Sequence, residues 1–441
     1  MSIFKDCDIR DVYPDEIDES AVYAVGRALA TLHPGARLAV GGDVRVSTPA
    51  LKDALIRGLV DSGATVTDIG TIPTPALYWA LAHMDVDGGA TVTASHNPPR
   101  YNGVKFMFGN LPVTRAAMDA VSAAVNEGRF LERQGSLSSR AILPEYIDAL
   151  ARRFHAARPL RIVVDAGNGT MSAVAPEALR RCGHHVIELF CEPDGRFPGR
   201  DPNPADYRHL TAVCAKVAAE GADFGVAFDG DGDRAVFIDE TGQAVMNEKS
   251  LALFIRRLLR ERPTPVVYDQ KSSSVVKRAV LAMGGTPVPE RSGHAFIKRR
   301  FLELGAAIAG EVSGHFFFGE LGYDDGLFAA LTMADIIAES EATLSEMTAG
   351  IVCPPITPDM RAHCPYARQQ AWLDRVEALA EGRDCTVSRM DGVRLEFPDG
   401  WILMRKSVTA EQVTLRAEAD TPERLDELLN LVRSAIPEAQ F

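Results

Sequence analysis

Short apolar runs alternate with helical stretches from residue 38 to residue 308, and no other feature restricts the fold as much. Runs at 38–40, 64–69 and 88–92 alternate with helical stretches near 48–62 and 74–84. The pattern restarts after Arg158-Pro159, with a strand at 160–164, a turn at 165–169, a helix near 171–182, a strand at 185–190 and a helix near 206–219. A third round has a helix near 247–259, a strand at 265–268, a helix near 274–283 and the pair 307–308. Such alternation predicts mostly parallel sheets covered on both faces by helices. After Cys353-Pro354-Pro355 the pattern changes to short runs at 392–397, 401–404 and 412–417 and a last helix near 421–436, an antiparallel α+β arrangement. At 441 residues the chain exceeds what one core serves. We expect three similar, mostly parallel α/β domains at 1–145, 146–245 and 246–352, then a smaller α+β domain at 353–441, set around a central cleft of the kind that binds ligands.

Two stretches carry chemistry. Residues 93–105 read Thr-Ala-Ser-His-Asn-Pro-Pro-Arg-Tyr-Asn-Gly-Val-Lys. Asn97, Pro98 and Pro99 end regular structure after the strand at 88–92, and Gly103 is expected to free the backbone beyond them. A hydroxyl at such a strand tip, with His96 beside it and Lys105 close by, suits nucleophilic or phosphoryl chemistry. An Asn-Pro turn with a surface serine accounts for these residues alone equally well. The second stretch, 229–234, reads Asp-Gly-Asp-Gly-Asp-Arg between apolar runs. Three carboxylates at alternate positions repel each other without a counter-ion, and a hard divalent cation suits them. A calcium EF-hand loop needs glycine at its sixth position, where Arg234 stands, and helical flanks, where strands are expected. A magnesium site in a strand-to-strand loop is the better reading, with a solvated acidic turn as the alternative.

Composition narrows the class. Lys and Arg number 47 against 60 Asp and Glu, a net charge of −13, which disfavours nucleic acid as a partner. The seven cysteines are odd in number and scattered, which predicts reduced thiols in a cytoplasm rather than disulfides or zinc. No signal-like or membrane-length apolar run is visible, so no membrane association is expected. Oligomeric state is not legible; a monomer is the favoured expectation.

The motifs resemble, in order and spacing, those of the alpha-D-phosphohexomutases. Thr93-Ala-Ser-His-Asn-Pro98 with Asn102, Gly103 and Lys105 resembles their phosphoserine loop, and Asp229 to Arg234 their metal loop. Gly310-Glu-Val-Ser-Gly-His315 resembles the sugar-binding loop, in the form of the bacterial phosphomannomutase/phosphoglucomutase branch, and Arg405-Lys-Ser-Val-Thr409 the phosphate-binding loop. The likeness implies reversible phosphoryl transfer between C1 and C6 of mannose and glucose phosphates, through a phosphoserine at Ser95 and a hexose 1,6-bisphosphate that also serves as activator. It implies Mg2+ held by Ser95 (as its phosphate), Asp229, Asp231 and Asp233. Lys105, His315 and Arg10 are the implied catalytic group sharing the proton work, with Lys105 a base only where its pKa is depressed. Lys271, His294, Glu311, Ser313, Arg405, Ser407 and Thr409 are the implied substrate-binding set.

Spacing adds a physical reason for two of these loops. Glu311 and Ser313 are two apart and reach one face of an extended segment; a carboxylate gripping O3 and O4 leaves the C2 epimer unread, which predicts use of both glucose and mannose. Arg405, Ser407 and Thr409 share the same alternation, a cation and two hydroxyls for the non-reacting phosphate. A surface glutamate and an exposed polar strand are the plainer alternatives, and His315 taken alone reads as a hydrogen-bonded structural histidine. The chain departs from the family pattern at Cys7, Asp11, Arg100 and Val408, none of them at Ser95, the aspartates or Glu311. A phosphoglucosamine mutase, a sugar-phosphate-binding regulator without turnover, and a phosphatase using Ser95 are the competing readings.

Overall fold

The computed structural model describes residues 3–5, 8–407 and 411–441. Four sheets carry it. The first has six strands in the order Ile9–Val12, Tyr101–Phe108, Gly88–Val92, Arg37–Gly42, Thr65–Thr71, Ser136–Ser139. Its inner pairings are parallel, and the two strands beyond Gly88–Val92 run antiparallel. The second, Ala235–Asp239, Phe224–Phe228, Arg161–Asp165, His185–Leu189, is parallel except for its first pair. The third, from Thr286–Glu290 through Pro265–Asp269 and Ile308–Gly310, turns antiparallel at Phe316–Phe318 and Tyr323–Asp324. The fourth is antiparallel throughout, Met360–His363, Gln412–Ala419, Gly400–Lys406, Val393–Phe397, Thr386–Ser388. The expected α/β class holds, and the fold is three mixed α/β sheets followed by an antiparallel one.

The antiparallel strands matter for the site, because each mixed sheet turns back at the end where its loop lies. The segment after Pro99, expected to be irregular, is the strand Tyr101–Phe108. Gly103 therefore serves packing rather than a turn: a Cβ there would lie 2.1 Å from the Ile9 carbonyl of the adjacent strand.

The largest apolar core is shared. It runs from Ala39 and Ile69 through Val164, Phe228 and Phe254 to Phe316 and Ile351, so the first three sheets are packed as one body. Its centre is the helix Gly326–Ala338, buried along nearly its whole length. Asp325 caps that helix, accepting from the N–H groups of Leu327 and Phe328, and also accepts from the Tyr146 hydroxyl at 2.8 Å. Burial pushes the Asp325 carboxyl up to about 7. The fourth domain has its own core, built on Trp372, Leu395, Ile402, Leu415 and Val432. Among the described residues no helix is long and apolar enough to cross a membrane.

Candidate active site

The fully buried strand Gly88–Val92 delivers Ser95 to the tip of the first sheet. Ser95 is 2% exposed, and its backbone sits in the left-handed region at φ 51°. That conformation costs a non-glycine residue on the order of 1–3 kcal/mol and persists only where the surroundings impose it. Here the Thr93 hydroxyl accepts from the Ser95 N–H at 2.9 Å. The Ser95 hydroxyl donates to Asp229 Oδ2 at 2.9 Å, with His96 Nδ1 at 3.4 Å. The metal-like loop packs directly on this turn: a Cβ on Gly230 would stand 2.6 Å from the Ser95 carbonyl.

Asp229, Asp231 and Asp233 lie between the strands Phe224–Phe228 and Ala235–Asp239, which bears out strand rather than helical flanks. All three are buried, with one ligand atom from each within 4.8 Å of the others. Thr74 Oγ1 donates to Asp231 Oδ2 at 2.6 Å, and Lys105 Nζ reaches Asp231 Oδ2 and Asp233 Oδ2, each at 2.8 Å. Asp231 Oδ1 and Asp233 Oδ1 are buried without a hydrogen-bond donor. Three converging aspartates, two of them with an unsatisfied buried oxygen, are a donor set that fits a hard divalent cation. Burial and then the charges of Asp233 and Asp231 push Asp229 well up from the carboxylate range. Against burial, Lys105 holds Asp231 well down.

Lys105 itself is held well above its ordinary value, because Asp231 and Asp233 outweigh the effect of burial. It is a fixed cation between two carboxylates.

Across from this group lies the third domain. Arg234 Nε donates to His315 Nε2 at 2.9 Å, and His315 Nδ1 meets Asp324 Oδ2 at 2.8 Å. An arginine N–H donates only to a ring nitrogen without hydrogen, so this arrangement puts the imidazole proton on Nδ1, facing Asp324. His294 Nε2 meets the other oxygen of Asp324, also at 2.8 Å. Burial opposes a charged His315, but Asp233 and Asp324 prevail and lift it to about 9. Taking up that second proton requires Arg234 to turn away from Nε2. Ser95, Lys105, Asp233, Arg234, His294, His315 and Arg10 all line one cavity of about 120 Å³.

Comparison with known proteins bears directly on this arrangement. The chain matches the models for the phosphoglucomutase/phosphomannomutase alpha/beta/alpha domains I, II and III over residues 1–132, 144–242 and 247–352. It is 35% identical to the phosphomannomutase/phosphoglucomutase of Pseudomonas aeruginosa, over 99% of this chain and 95% of that one. The chain belongs to the phosphoglucomutase/phosphomannomutase family. A phosphoglucomutase of Neisseria gonorrhoeae is 36% identical over 98% of this chain and 96% of its own. A crystal structure of a family protein from Burkholderia thailandensis superposes with TM-score 0.93 at 33% identity, covering 99% and 98% of the two chains. Membership implies a metal-dependent enzyme, in keeping with the donor set above.

Arg10 belongs to the cavity wall, whereas among the described residues the substrate-binding set other than His294 lies outside it. Arg10, on the strand Ile9–Val12, donates to Asn97 Oδ1 at 3.0 Å and pairs with Asp8. Glu311 is buried, accepts from the Ser313 hydroxyl at 3.2 Å on one oxygen, and keeps Oε1 without a donor. Lys271 lies 3.3 Å from Asp359, and Arg405 Nη2 lies 2.6 Å from Asp391 with its Nε unpartnered. Lys271, Glu311, Ser313, Arg405 and Ser407 do not line the cavity that holds Ser95. Arg405 is the last residue but one of a strand that stops at Lys406, and the Ser407 N–H just beyond it donates to the Gln412 carbonyl at 2.9 Å. Thr409, Val408 and Cys7 lie outside the described residues. Of the other two departures, Asp11 pairs with Lys5 at 2.9 Å and Arg100 lies over the Tyr101 ring, both away from the Ser95 hydroxyl.

Sequence reading missed Arg234 and Asp324 as parts of the site. Arg234 sits beside the aspartates and was legible only as the last residue of the metal-like loop and as a misfit to the EF-hand. Asp324 gives no local signal, since it precedes an apolar helix next to Asp325 and reads as part of the helix cap.

Proposed function

We propose that this protein is a phosphomannomutase/phosphoglucomutase that moves a phosphoryl group between O1 and O6 of a hexose phosphate by way of Ser95. The observation that carries the reading is the meeting of the Ser95 hydroxyl with Asp229 at 2.9 Å, inside a buried trio of carboxylates bounded by Lys105, Arg234 and His315. Phosphoryl transfer depends mainly on positioning and charge stabilisation, and this centre has both. Ser95 takes up and returns the phosphoryl group. Asp229, Asp231, Asp233 and the phosphorylated Ser95 would hold Mg2+, which when bound neutralises charge on the transferring group. Lys105 and Arg10 supply fixed positive charge. His315, oriented by Asp324, exchanges the proton of the attacking or leaving sugar hydroxyl once Arg234 withdraws.

Substrate recognition falls to the other loops. Glu311 presents an unpartnered carboxylate oxygen suited to two neighbouring sugar hydroxyls, with the Ser313 hydroxyl on its other oxygen, while His294 adds a ring from the cavity wall. Gripping O3 and O4 leaves C2 unread, hence mannose and glucose phosphates together. Lys271, Arg405, Ser407 and Thr409 take the non-reacting phosphate. A hexose 1,6-bisphosphate is then the intermediate and, supplied from outside, the activator. The cysteines in the described residues are free thiols, which supports a cytoplasmic setting.

The test is a mutase assay with Mg2+ and a trace of glucose 1,6-bisphosphate, offering mannose 1-phosphate, glucose 1-phosphate and glucosamine 1-phosphate separately. Comparable conversion of the first two to 6-phosphates supports the reading. Preference for the amino sugar makes the protein a phosphoglucosamine mutase, binding without conversion a regulator, and free phosphate as main product a phosphatase.

A further inference from the structure

The loop that presents Ser95 contains two prolines, a left-handed serine and few hydrogen bonds of its own. Its rigidity comes from elsewhere. Arg45 lies just beyond the strand Arg37–Gly42, the parallel neighbour of Gly88–Val92, and is 1% exposed. Its Nη1 donates to the carbonyls of Pro98 at 2.7 Å and Tyr101 at 3.0 Å. Its Nη2 donates to those of Ser95 at 2.8 Å and Asn97 at 2.6 Å. The fifth donor, Nε, goes to Asp43 Oδ2 at 3.0 Å, so every N–H of the guanidinium is used. Asp43 is buried as well and is fixed in turn by the Thr48 hydroxyl at 2.6 Å and the Arg45 N–H at 2.9 Å. The outer face of the guanidinium lies 5.1 Å from the Phe197 ring, which belongs to the second domain.

Four carbonyls converging on one planar cation is not a packing accident that a hydrophobic residue reproduces. The Pro98 carbonyl also accepts from the Tyr101 N–H at 3.0 Å, and together the four contacts tie the chain from Ser95 to Tyr101 to one buried side chain. The metal-binding loop has a parallel device. Buried Arg200 is paired with Asp165 at 2.8 Å and donates at 2.6 Å to the carbonyl of Phe228, the residue before Asp229.

We propose that Arg45 is a positioning residue for the phosphoryl-transfer step: it fixes the Ser95 loop in the geometry that aims the hydroxyl at the carboxylate trio, without touching substrate itself. The assignment rests on Ser95 being the group that carries the phosphoryl. Because the guanidinium binds backbone carbonyls and Asp43 and does not line the cavity, its loss should fall on turnover rather than on substrate affinity. A lysine in its place keeps a charge for Asp43 but offers three tetrahedral donors instead of a planar fork of five.

The experiment compares the full chain with Arg45→Lys, by steady-state kinetics on glucose 1-phosphate with Mg2+ and glucose 1,6-bisphosphate, and by amide hydrogen exchange over residues 94–101. Displacing a reacting group by about 1 Å can cost about 100-fold in rate, so kcat is expected to fall on that order with KM within about threefold. Exchange in 94–101 should speed up while the sheet interiors stay protected. A kcat within threefold of the parent, a loss carried by KM alone, or unchanged exchange in the loop overturns the proposal. Should Arg45→Lys not fold, the neutral pair Asp43→Asn with Arg45→Gln takes its place under the same criteria. A parent chain that takes no phosphate from the bisphosphate onto Ser95 sinks the nucleophile reading instead, and the exchange comparison then still decides whether Arg45 holds the loop.

Discussion

Replacing Asp324 by asparagine separates charge from hydrogen bonding at the heart of the site. The carboxylate is fully buried and accepts from His315 Nδ1 and His294 Nε2, each at 2.8 Å. The amide has one acceptor and one donor, so it serves both rings if its oxygen faces His315 and its nitrogen faces His294, which then carries its proton on Nδ1. The fold should survive. What changes is that both contacts lose a charged acceptor. A hydrogen bond to a charged group contributes roughly 1.5–3 kcal/mol against roughly 0.5–1.5 for a neutral one, so the loss is about 1–1.5 kcal/mol per contact and about 2–3 kcal/mol in all. At 1.36 kcal/mol per pKa unit, the loss of about 1–1.5 kcal/mol at the His315 contact lowers that ring by about 1 unit. His315 starts near 9. It would fall to about 8, and at pH 8 the protonated fraction would drop about twofold.

The assay is kcat/KM against pH, which reports the free enzyme. The parent should lose activity as pH rises through about 9, and Asp324→Asn should lose it about one unit earlier, with little difference between the two at pH 6. Linkage gives a second reading of the same shift. The raised His315 contributes stability that is complete below its unfolded value near 6.5 and vanishes as pH rises through about 9, and the variant should lack part of that slope, at its alkaline end. An alkaline limb that stays at 9 in Asp324→Asn would refute the coupling between these two residues, and an equal loss at every pH would show that the carboxylate acts through orientation alone.

Three further outcomes are expected. Ser95→Ala should keep its melting temperature and lose nearly all bisphosphate-primed turnover together with acid-stable phosphate labelling; undiminished rates would remove Ser95 from the chemistry. Asp231→Asn should raise the Mg2+ concentration needed for half-maximal rate at least tenfold, and an unchanged titration takes Asp231 out of the metal site. Asp325, raised to about 7 by burial, binds its proton more tightly folded than unfolded, so stability should fall as pH rises from about 4 to 7, by up to about 4 kcal/mol from this group. Asp325→Asn should flatten that slope in urea unfolding midpoints, and an unaltered slope would show that the carboxyl is not the titrating group.

What the sequence disclosed depended on how local the signal was. Asp229, Asp231 and Asp233 are legible because three ligands stand within five residues, and Ser95 because prolines and a strand frame it. Arg45 reaches a loop 50 residues away, and Arg234 meets His315 across 81, so neither contact leaves a trace in any window of sequence. The helix Gly326–Ala338 went unread because it is buried on nearly all sides and has no polar face to mark a period. The strand Ser136–Ser139 went unread for the opposite reason, being exposed at every position on a sheet edge. The antiparallel returns at Tyr101–Phe108 and Phe316–Phe318 follow turns whose prolines and glycines also fit plain loops.

No single domain holds a working centre, and the contacts that complete it cross domain boundaries: Ser95 to Asp229, Lys105 to Asp231 and Asp233, Arg234 to His315. The shared apolar core makes these three domains one body, so the reacting groups keep their spacing. The fourth domain is joined differently. Arg416 to Glu248, Lys271 to Asp359, Arg394 to the Gln270 carbonyl and the Ser292 N–H to Asp391 are polar contacts, and its apolar core is separate. Polar contacts of this kind exchange with water at a net cost of about 1 kcal/mol each, far below the cost of opening a packed core. A bisphosphate that must present first one end and then the other to Ser95 needs a wall that lets go while the reacting centre stays fixed. The division between an apolar joint among three domains and a polar joint to the fourth meets that requirement, and it puts the release at the joint to the fourth domain rather than at the carboxylate trio.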